Sequence, residues 1–360
     1  MARQNKSNEL AEMLRYQIIS GQLRVNEQLE AISKLAKRHG TTIATVSKAL
    51  ANLEQAGYVE RFPGKGVFVK EKQNCRLALV LDSGTFANDS ANVSLMPIFL
   101  NELEKKSKEE NWTYELFFSV DSQSSAQNFL LKLSQNAFDV VLVGSRWLAE
   151  NSSKIFKDQS VFTIGIFAYK DLDFSISFDS YQMVYEAVLE LDKQGCQQIA
   201  LIENDKDQSW SKNPDCNTRA YHDALKSIGK LRNSRLHLNV PVSQKGGYDA
   251  FCELAKNTIG RPLGVISVDS LITLGIIQAA LSNGLNFYED VIIATQANQG
   301  CGVAQITTPI IKFENSLTIY LEHIAQFIKK YNQGEKVPTG IDLIAAKKKV
   351  LLVKDIYQFV

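Results

Sequence analysis

Residues 14–69, LRYQIISGQLRVNEQLEAISKLAKRHGTTIATVSKALANLEQAGYVERFPGKGVFV, confine the start of this chain to a small helical unit followed by a two-stranded wing. After Thr42 the apolar positions are Val46, Ala49, Leu50 and Leu53, spaced i, i+3, i+4, i+7. That spacing puts one stripe of a helix on a core and leaves Thr42, Thr45, Ser47 and Lys48 facing outward. A shorter helix over residues 32–38 would bury Ile32, Leu35 and Ala36, and Gly40 permits the left-handed turn of a tight helix junction. Leu10, Met13 or Leu14, and Ile18 supply the inner face of a third helix. Downstream, Tyr58 to Phe62 and Val67 to Val69 alternate, and Pro63-Gly64-Lys65-Gly66 supplies the bend between them, so Arg61 and Lys65 ride on the wing.

This segment resembles the winged-helix DNA-binding domain of the GntR family of bacterial transcription regulators. Ile18, Ser20-Gly21-Gln22-Leu23, Leu29, Leu35-Ala36, Gly40, Thr42, Val46, Ala49-Leu50, Leu53, Gly57-Tyr58-Val59, Gly64 and Gly66 to Val69 fall where the family places such residues. The resemblance implies a double-stranded DNA partner, contacted by Ser33, Lys34, Thr42, Thr45, Ser47, Lys48, Arg61, Lys65 and Gly66. Two arginines customary in the family are missing: Glu30-Ala31-Ile32-Ser33 stands where it commonly has Pro-Ser-Glu-Arg, and Thr42-Ile43 where it commonly has Ser-Arg. Arginine reads guanine through a bidentate fork, each such pair discriminating by about 1–3 kcal/mol. The expected operator therefore differs from the common family site.

Charge follows the same division. Residues 1–75 hold twelve Lys or Arg against seven Asp or Glu, and the remainder 28 against 32, so a basic module near +5 precedes one near −4. About +5 is modest for binding through phosphate neutralisation, and pairing two modules would double it. A homodimer on a pseudo-palindromic operator is the expectation.

With 360 residues, 45% of them hydrophobic and 22% charged, the chain has room for two or three globular domains. No run of 18 apolar residues and no apolar leader after Met1-Ala2-Arg3-Gln4 is present, so neither a membrane span nor export is expected, and the reading is a cytoplasmic bacterial protein. Cys75, Cys196, Cys216, Cys252 and Cys301 are scattered without a CxxC pair and read as reduced thiols. His39, His222, His237 and His323 show no ligand spacing with them, so no metal or other cofactor is expected.

Residues 71–76 form a short polar bridge between a domain over 1–70 and a second over 77–360. From Leu77 apolar runs alternate with amphipathic stretches: Leu77–Leu81, 95–110, Tyr114–Phe118, 123–136, Val140–Val143 and Val161–Ile166. A second series follows, with helices at 181–194, 217–228, 247–257 and 271–283 and strands at Ile199–Ile202, Leu236–Val240, Gly264–Val268 and Val291–Thr295. This βαβ order predicts two doubly wound parallel-sheet lobes.

The arrangement resembles the sensor of the LacI/GalR regulators, a periplasmic-binding-protein-like type I fold. Asp179, Gly195 with Ile199-Ala200, Arg219-Ala220-Tyr221, Ser267-Val268-Asp269 and a strand at Gln305-Ile306-Thr307-Thr308 carry the likeness. It implies lobe crossings near 175–180, 295–300 and 335–340. Ligands of open α/β sheets lie outside the carboxyl ends of the strands, where Asp82, Phe86, Trp147, Asp179, Arg219, Asp269, Gln296 and Asn298 fall. The polar members suit paired sugar hydroxyls, and Phe86, Trp147 or Trp210 an apolar ring face. The bland alternatives are that Asp269 only caps its helix and that Arg219 only pairs with a surface acid. Gln296 stands where the sugar-sensing family tends to have aspartate, so a different hydroxyl pattern is expected.

No GxSxG, HExxH or GxxxxGK[ST] motif occurs, and Asp171 with Asp173 beside Lys170 reads as a solvated turn rather than an acid/base pair. The expectation is a DNA-binding regulator, a repressor of carbohydrate uptake or catabolism genes controlled by a small sugar. Alternatives are a nucleobase or other polar metabolite as effector, activation in place of repression, and a sugar-binding protein or enzyme without a DNA role.

Overall fold

The computed structural model describes the chain except residues 1, 20, 71–74, 87–94, 158, 160, 170, 205–215, 258–259, 333–334, 336–339 and 351–360. Helices α1 (Ala2–Ile19), α2 (Ile32–Arg38) and α3 (Ile43–Gln55) precede antiparallel strands β1 (Val59–Phe62) and β2 (Gly66–Val69). Leu10, Leu14 and Ile18 of α1 meet Leu35, Ala36, Val46, Ala49, Leu50 and Leu53 in one core, with Leu14 rather than Met13 fully buried. Thr42 caps α3, its Oγ1 accepting the Thr45 amide at 3.2 Å. The first wing strand begins at Val59 because the Tyr58 amide is taken by the Leu53 carbonyl at 2.9 Å, closing the end of α3. Residues just before α2 add a third arm to the wing: Gln28 bridges Phe68, and the Leu29 amide donates to the Val67 carbonyl at 2.8 Å. Nothing in Glu27-Gln28-Leu29 signals this in sequence, since three residues are too few to show an alternating period.

The rest forms two sheets. In the first lobe β3 (Cys75–Val80), α4 (Leu95–Glu109), β4 (Trp112–Phe117), α5 (Gln127–Ser134), β5 (Val140–Val143), α6 (Arg146–Glu150), α7 (Ser152–Ile155), β6 (Phe162–Gly165) and β7 (Phe174–Phe178) follow one another. In the second come α8 (Ser180–Lys193), β8 (Gln198–Asn204), α9 (Cys216–Ser227), β9 (His237–Val240), α10 (Gln244–Asn257), β10 (Leu263–Ser267), α11 (Ser270–Ser282), β11 (Val291–Asn298), α12 (Gly302–Gln305) and β12 (Ile311–Asn315). Helix α13 (Leu317–Asn332) and strand β13 (Gly340–Ile344) return to the first lobe, and β14 (Lys347–Val350) to the second. The sheet orders are β13-β7-β6-β5-β3-β4 and β14-β12-β11-β10-β8-β9; all pairs are parallel except β12 with β14.

Both faces of each sheet are covered, which explains the near-continuous apolar strands. Along β3, Leu77 and Leu79 join Phe99 of α4 and Ile324 of α13, while Ala78 and Val80 join Phe129 of α5 and Leu148 of α6. In the second sheet Ile202 and Val265 pack toward α10 and α11, and Leu201 and Ile266 toward α8 and α9.

The structure departs from four sequence expectations. Cys75 and Arg76, read as the end of the bridge, already pair in β3 with Trp112 and Thr113. The crossing expected at 295–300 lies at 315–317, because β12 adds a further strand to the second sheet before α13 crosses, and that expected at 335–340 lies at 344–347, because β13 first pairs with β7 in the first sheet. The strand expected at Gln305–Thr308 is instead the end of α12 and an irregular turn; the strand follows at Ile311. The chain first passes from one lobe to the other between β7 and α8.

Candidate nucleic-acid interface and ligand cleft

On the winged helix, Thr42 and Lys48 of the α3 segment are exposed and Thr45 and Ser47 half-buried, and Ser33 and Lys34 are exposed on the first turn of α2. The Thr42 and Thr45 hydroxyls lie 2.8 Å apart, so both serve the cap of α3 as well as its outer face. Arg61 is held inward: its Nη2 donates to the Ser47 carbonyl at 2.8 Å and its Nε stands 3.1 Å from Glu54. It therefore braces the wing against α3 rather than extending from the wing. Lys65 is exposed at the wing tip, where its carbonyl accepts from Gln28 Nε2 at 2.6 Å. Gly66 makes that contact feasible, because its φ is +114° and a Cβ there would stand 2.6 Å from the same Gln28 nitrogen. Ile43, the first residue of α3, is 59% exposed.

The ligand candidates occupy the carboxyl ends of parallel strands in both lobes. Asp82 lies just past β3; its Oδ1 accepts from the Thr85 amide at 3.0 Å and hydroxyl at 2.8 Å, and its Oδ2 from the Arg146 amide at 3.2 Å. This carboxylate joins the ends of β3 and β5. Trp147, next to Arg146, is half-buried against the α5–α6 side of the core. Phe86 ends a short 3-10 turn over Ser83–Phe86, and its side chain, like Trp210, lies outside the described residues.

In the second lobe Asp179 caps α8, accepting from the Gln182 amide at 2.9 Å, while its own amide donates to the Ile344 carbonyl at 2.8 Å across two crossing segments. Asp269 caps α11: Oδ1 accepts from the amides of Leu271 at 2.7 Å and Ile272 at 3.1 Å. Gln296 and Asn298, two residues apart on β11, share a face, with Gln296 Nε2 3.4 Å from Asn298 Oδ1. Asn315 joins them, its Nδ2 donating to the same oxygen at 3.1 Å. Asn315 is 2% exposed and its Oδ1 has no partner among the described residues. Sequence reasoning missed it because β12 was not recognised as a strand. Arg219 is exposed, with its guanidinium 5.3 Å from the centre of the Tyr181 ring and Tyr181 donating to Asp223 at 2.7 Å.

Burial raises the pKa of Asp82, against the Arg146 and Thr85 hydrogen bonds, and that of Asp269, against the Ile272 and Leu271 amides. Among the described residues neither carboxylate has a salt-bridge partner. A buried carboxylate held only by neutral donors is costly, and further hydroxyl donors would stabilise it. Asp173 accepts from the Thr163 amide and hydroxyl, both at 2.8 Å, which makes it a structural brace in its turn. Among the described residues no group of three His, Cys, Asp or Glu is placed to hold a metal ion, and no helix is long and apolar enough to cross a membrane.

Residues 6–69 match the family described as bacterial regulatory proteins, gntR family. No curated protein sequence matches the chain. Among solved structures, the Escherichia coli transcriptional repressor ascG is similar at TM-score 0.63 and 18% identity, over 78% of this chain and 99% of that one. A LacI family transcriptional regulator from Enterococcus faecium with bound ribose matches at 0.59 and 14%, over 76% and 96%. The Cra transcriptional dual regulator from Pseudomonas putida, in complex with fructose 1-phosphate, matches at 0.57 and 14%, over 77% and 98%. The chain thus joins a GntR-type helix-turn-helix domain to a two-sheet parallel α/β domain with the fold of LacI/GalR-family sensors.

Proposed function

We propose that this chain is a ligand-responsive DNA-binding transcription regulator whose two lobes close on a small sugar. Supporting this reading is the pair of buried carboxylates, Asp82 and Asp269, that have no counter-cation among the described residues, one at the carboxyl edge of each lobe's sheet. A polyol entering between them would supply the hydroxyl donors they lack, with Arg219, Asp179, Gln296 and Asn298 as further polar partners and Phe86 or Trp147 against a ring face. The ribose and fructose 1-phosphate in two structures of similar fold favour this class. On the DNA side, Thr45, Ser47 and Lys48 read the groove, Ser33, Lys34, Thr42, Lys65 and Gly66 flank them, and Arg61 sets the wing. A homodimer would place two winged helices on a pseudo-palindromic site. Effector coupling of about 1–3 kcal/mol would change operator affinity 5- to 150-fold, and release of a repressor is the direction favoured. Activation is the second reading, since one protein of similar fold is named a dual regulator.

Titration calorimetry of the full chain with ribose, fructose 1-phosphate, other monosaccharides and adenine tests the effector class. Saturable binding of a sugar, lost in Arg219→Ala, supports the reading. Binding of adenine alone transfers the pocket to nucleobases, and heat from none of them removes the sensor role.

A further inference from the structure

The winged helix meets the first lobe through a buried polar knot. Asp139, fully buried just before β5, lies at the amino end of its sheet, opposite the edge that carries the ligand candidates. Its Oδ1 accepts from the Tyr58 hydroxyl at 2.7 Å, from Arg76 Nη2 at 2.9 Å and from Arg15 Nη2 at 3.3 Å; its Oδ2 accepts from the Arg76 amide at 2.9 Å and Nε at 3.1 Å. Arg15 also donates from Nε to the Tyr58 hydroxyl at 2.9 Å and from Nη2 to the Phe138 carbonyl at 3.0 Å. Arg15 and Tyr58 belong to the winged helix; Phe138, Asp139 and Arg76 belong to the lobe. Arg15 is 3% and Tyr58 4% exposed, so the charges are shielded from water. Burial opposes the Arg15 charge, but the Asp139 and Glu12 carboxylates outweigh it; burial and Asp139 hold Tyr58 as a neutral phenol donor.

Beside the knot the seam is poorly filled. A cavity of about 460 Å³ is lined by Tyr16, Phe156, Phe162, Asp173 and Tyr331, among others, and Tyr16, the neighbour of Arg15, stays 59% exposed. The hydrogen bonds of Arg15 and Tyr58 to Phe138 and Asp139 cross this seam, and their directional geometry tolerates little rotation.

We infer that Arg15, Tyr58 and Asp139 are positioning residues that dock the winged helix on the base of the first lobe, so that both move as one body when the lobes close. The orientation of the DNA-reading helix is then set by the lobe and not by the short bridge. The inference adds a transmission element to the proposed regulator, and its test needs neither operator nor effector.

The test is limited trypsin digestion of the full chain at the bridge, after Lys70 or Lys72, with Arg15→Met on one side of the seam and Asp139→Asn on the other, circular dichroism showing that each variant is folded. Docking predicts cleavage at least tenfold faster in both variants than in the wild type, and a larger radius of gyration by small-angle X-ray scattering. Tyr58→Phe, which removes one hydroxyl, should fall between. Wild-type cleavage as fast as that of Arg15→Met, or equal radii for all four proteins, would overturn the inference.

Discussion

Asp269 Oδ1 accepts the Leu271 amide at 2.7 Å and the Ile272 amide at 3.1 Å, so one oxygen of this carboxylate forms the whole cap of α11. Asparagine offers the same oxygen and caps helices about as well, so Asp269→Asn separates the cap from the charge. Burial raises the Asp269 pKa above 3.8, so the folded state holds its proton more tightly than the unfolded chain does. Stability of the ligand-free protein therefore falls as pH rises from 3.8 through the raised value and carries the full cost above it. Asp269→Asn should melt higher than wild type near neutral pH, the gap closing as pH approaches 3.8, and should lose sugar affinity. Thermal melts across pH decide this; a lower melting temperature at neutral pH would mean that the charge itself supports the helix.

Arg219 lies over Tyr181 on the exposed side of the α8–α9 pair. A contact of that kind contributes about 0.5–1 kcal/mol, so Arg219→Ala should leave stability within about 1 kcal/mol while effector binding drops beyond detection. Chemical denaturation beside calorimetry checks both. Loss of stability with unaltered binding would reduce Arg219 to surface packing.

On α3, Lys48→Ala should weaken operator binding on all sequences and reduce the salt slope by about 1. Thr42→Ala removes the cap and should cost about 1 kcal/mol of stability. Arg61→Ala frees the wing from the Ser47 carbonyl and should weaken binding without changing base preference. Anisotropy titrations at two salt concentrations separate Lys48→Ala from Arg61→Ala and chemical denaturation checks Thr42→Ala; a changed base preference in Arg61→Ala would place its guanidinium on the bases instead.

Ile43 is exposed at the start of α3, among the N-terminal residues that a recognition helix presents to base edges. Replacing it by arginine should shift preference toward guanine by about 1–3 kcal/mol at one position of each half-site. In vitro selection with wild type and Ile43→Arg measures this; identical selected sites would show that position 43 does not meet the bases.

Periodic and local features were legible in sequence. The stripe Val46, Ala49, Leu50, Leu53 and the strands Leu77–Leu81 and Val140–Val143 announce themselves because each has one dominant period or an unbroken apolar run. The return of the chain after residue 310 was not, because Ile311–Asn315, IKFEN, interleaves a buried lysine whose Nζ donates to the Ala304 and Ile306 carbonyls, and such a strand reads as polar. Without that strand neither Asn315 nor the crossing at 315–317 is legible. Asp139 carries no local signal either, since its partners are 63 to 124 residues distant in sequence. The inward turn of Arg61 likewise depends on a carbonyl 14 residues away.

Sugar-controlled operator binding is measured by fluorescence anisotropy of the full chain on labelled DNA from upstream of its own coding region, against scrambled DNA, with and without a panel of monosaccharides. A sugar-responsive regulator binds the upstream DNA more tightly and changes its affinity 5- to 150-fold with one sugar. Equal affinity for both DNAs, or specific binding that no sugar alters, would contradict this reading.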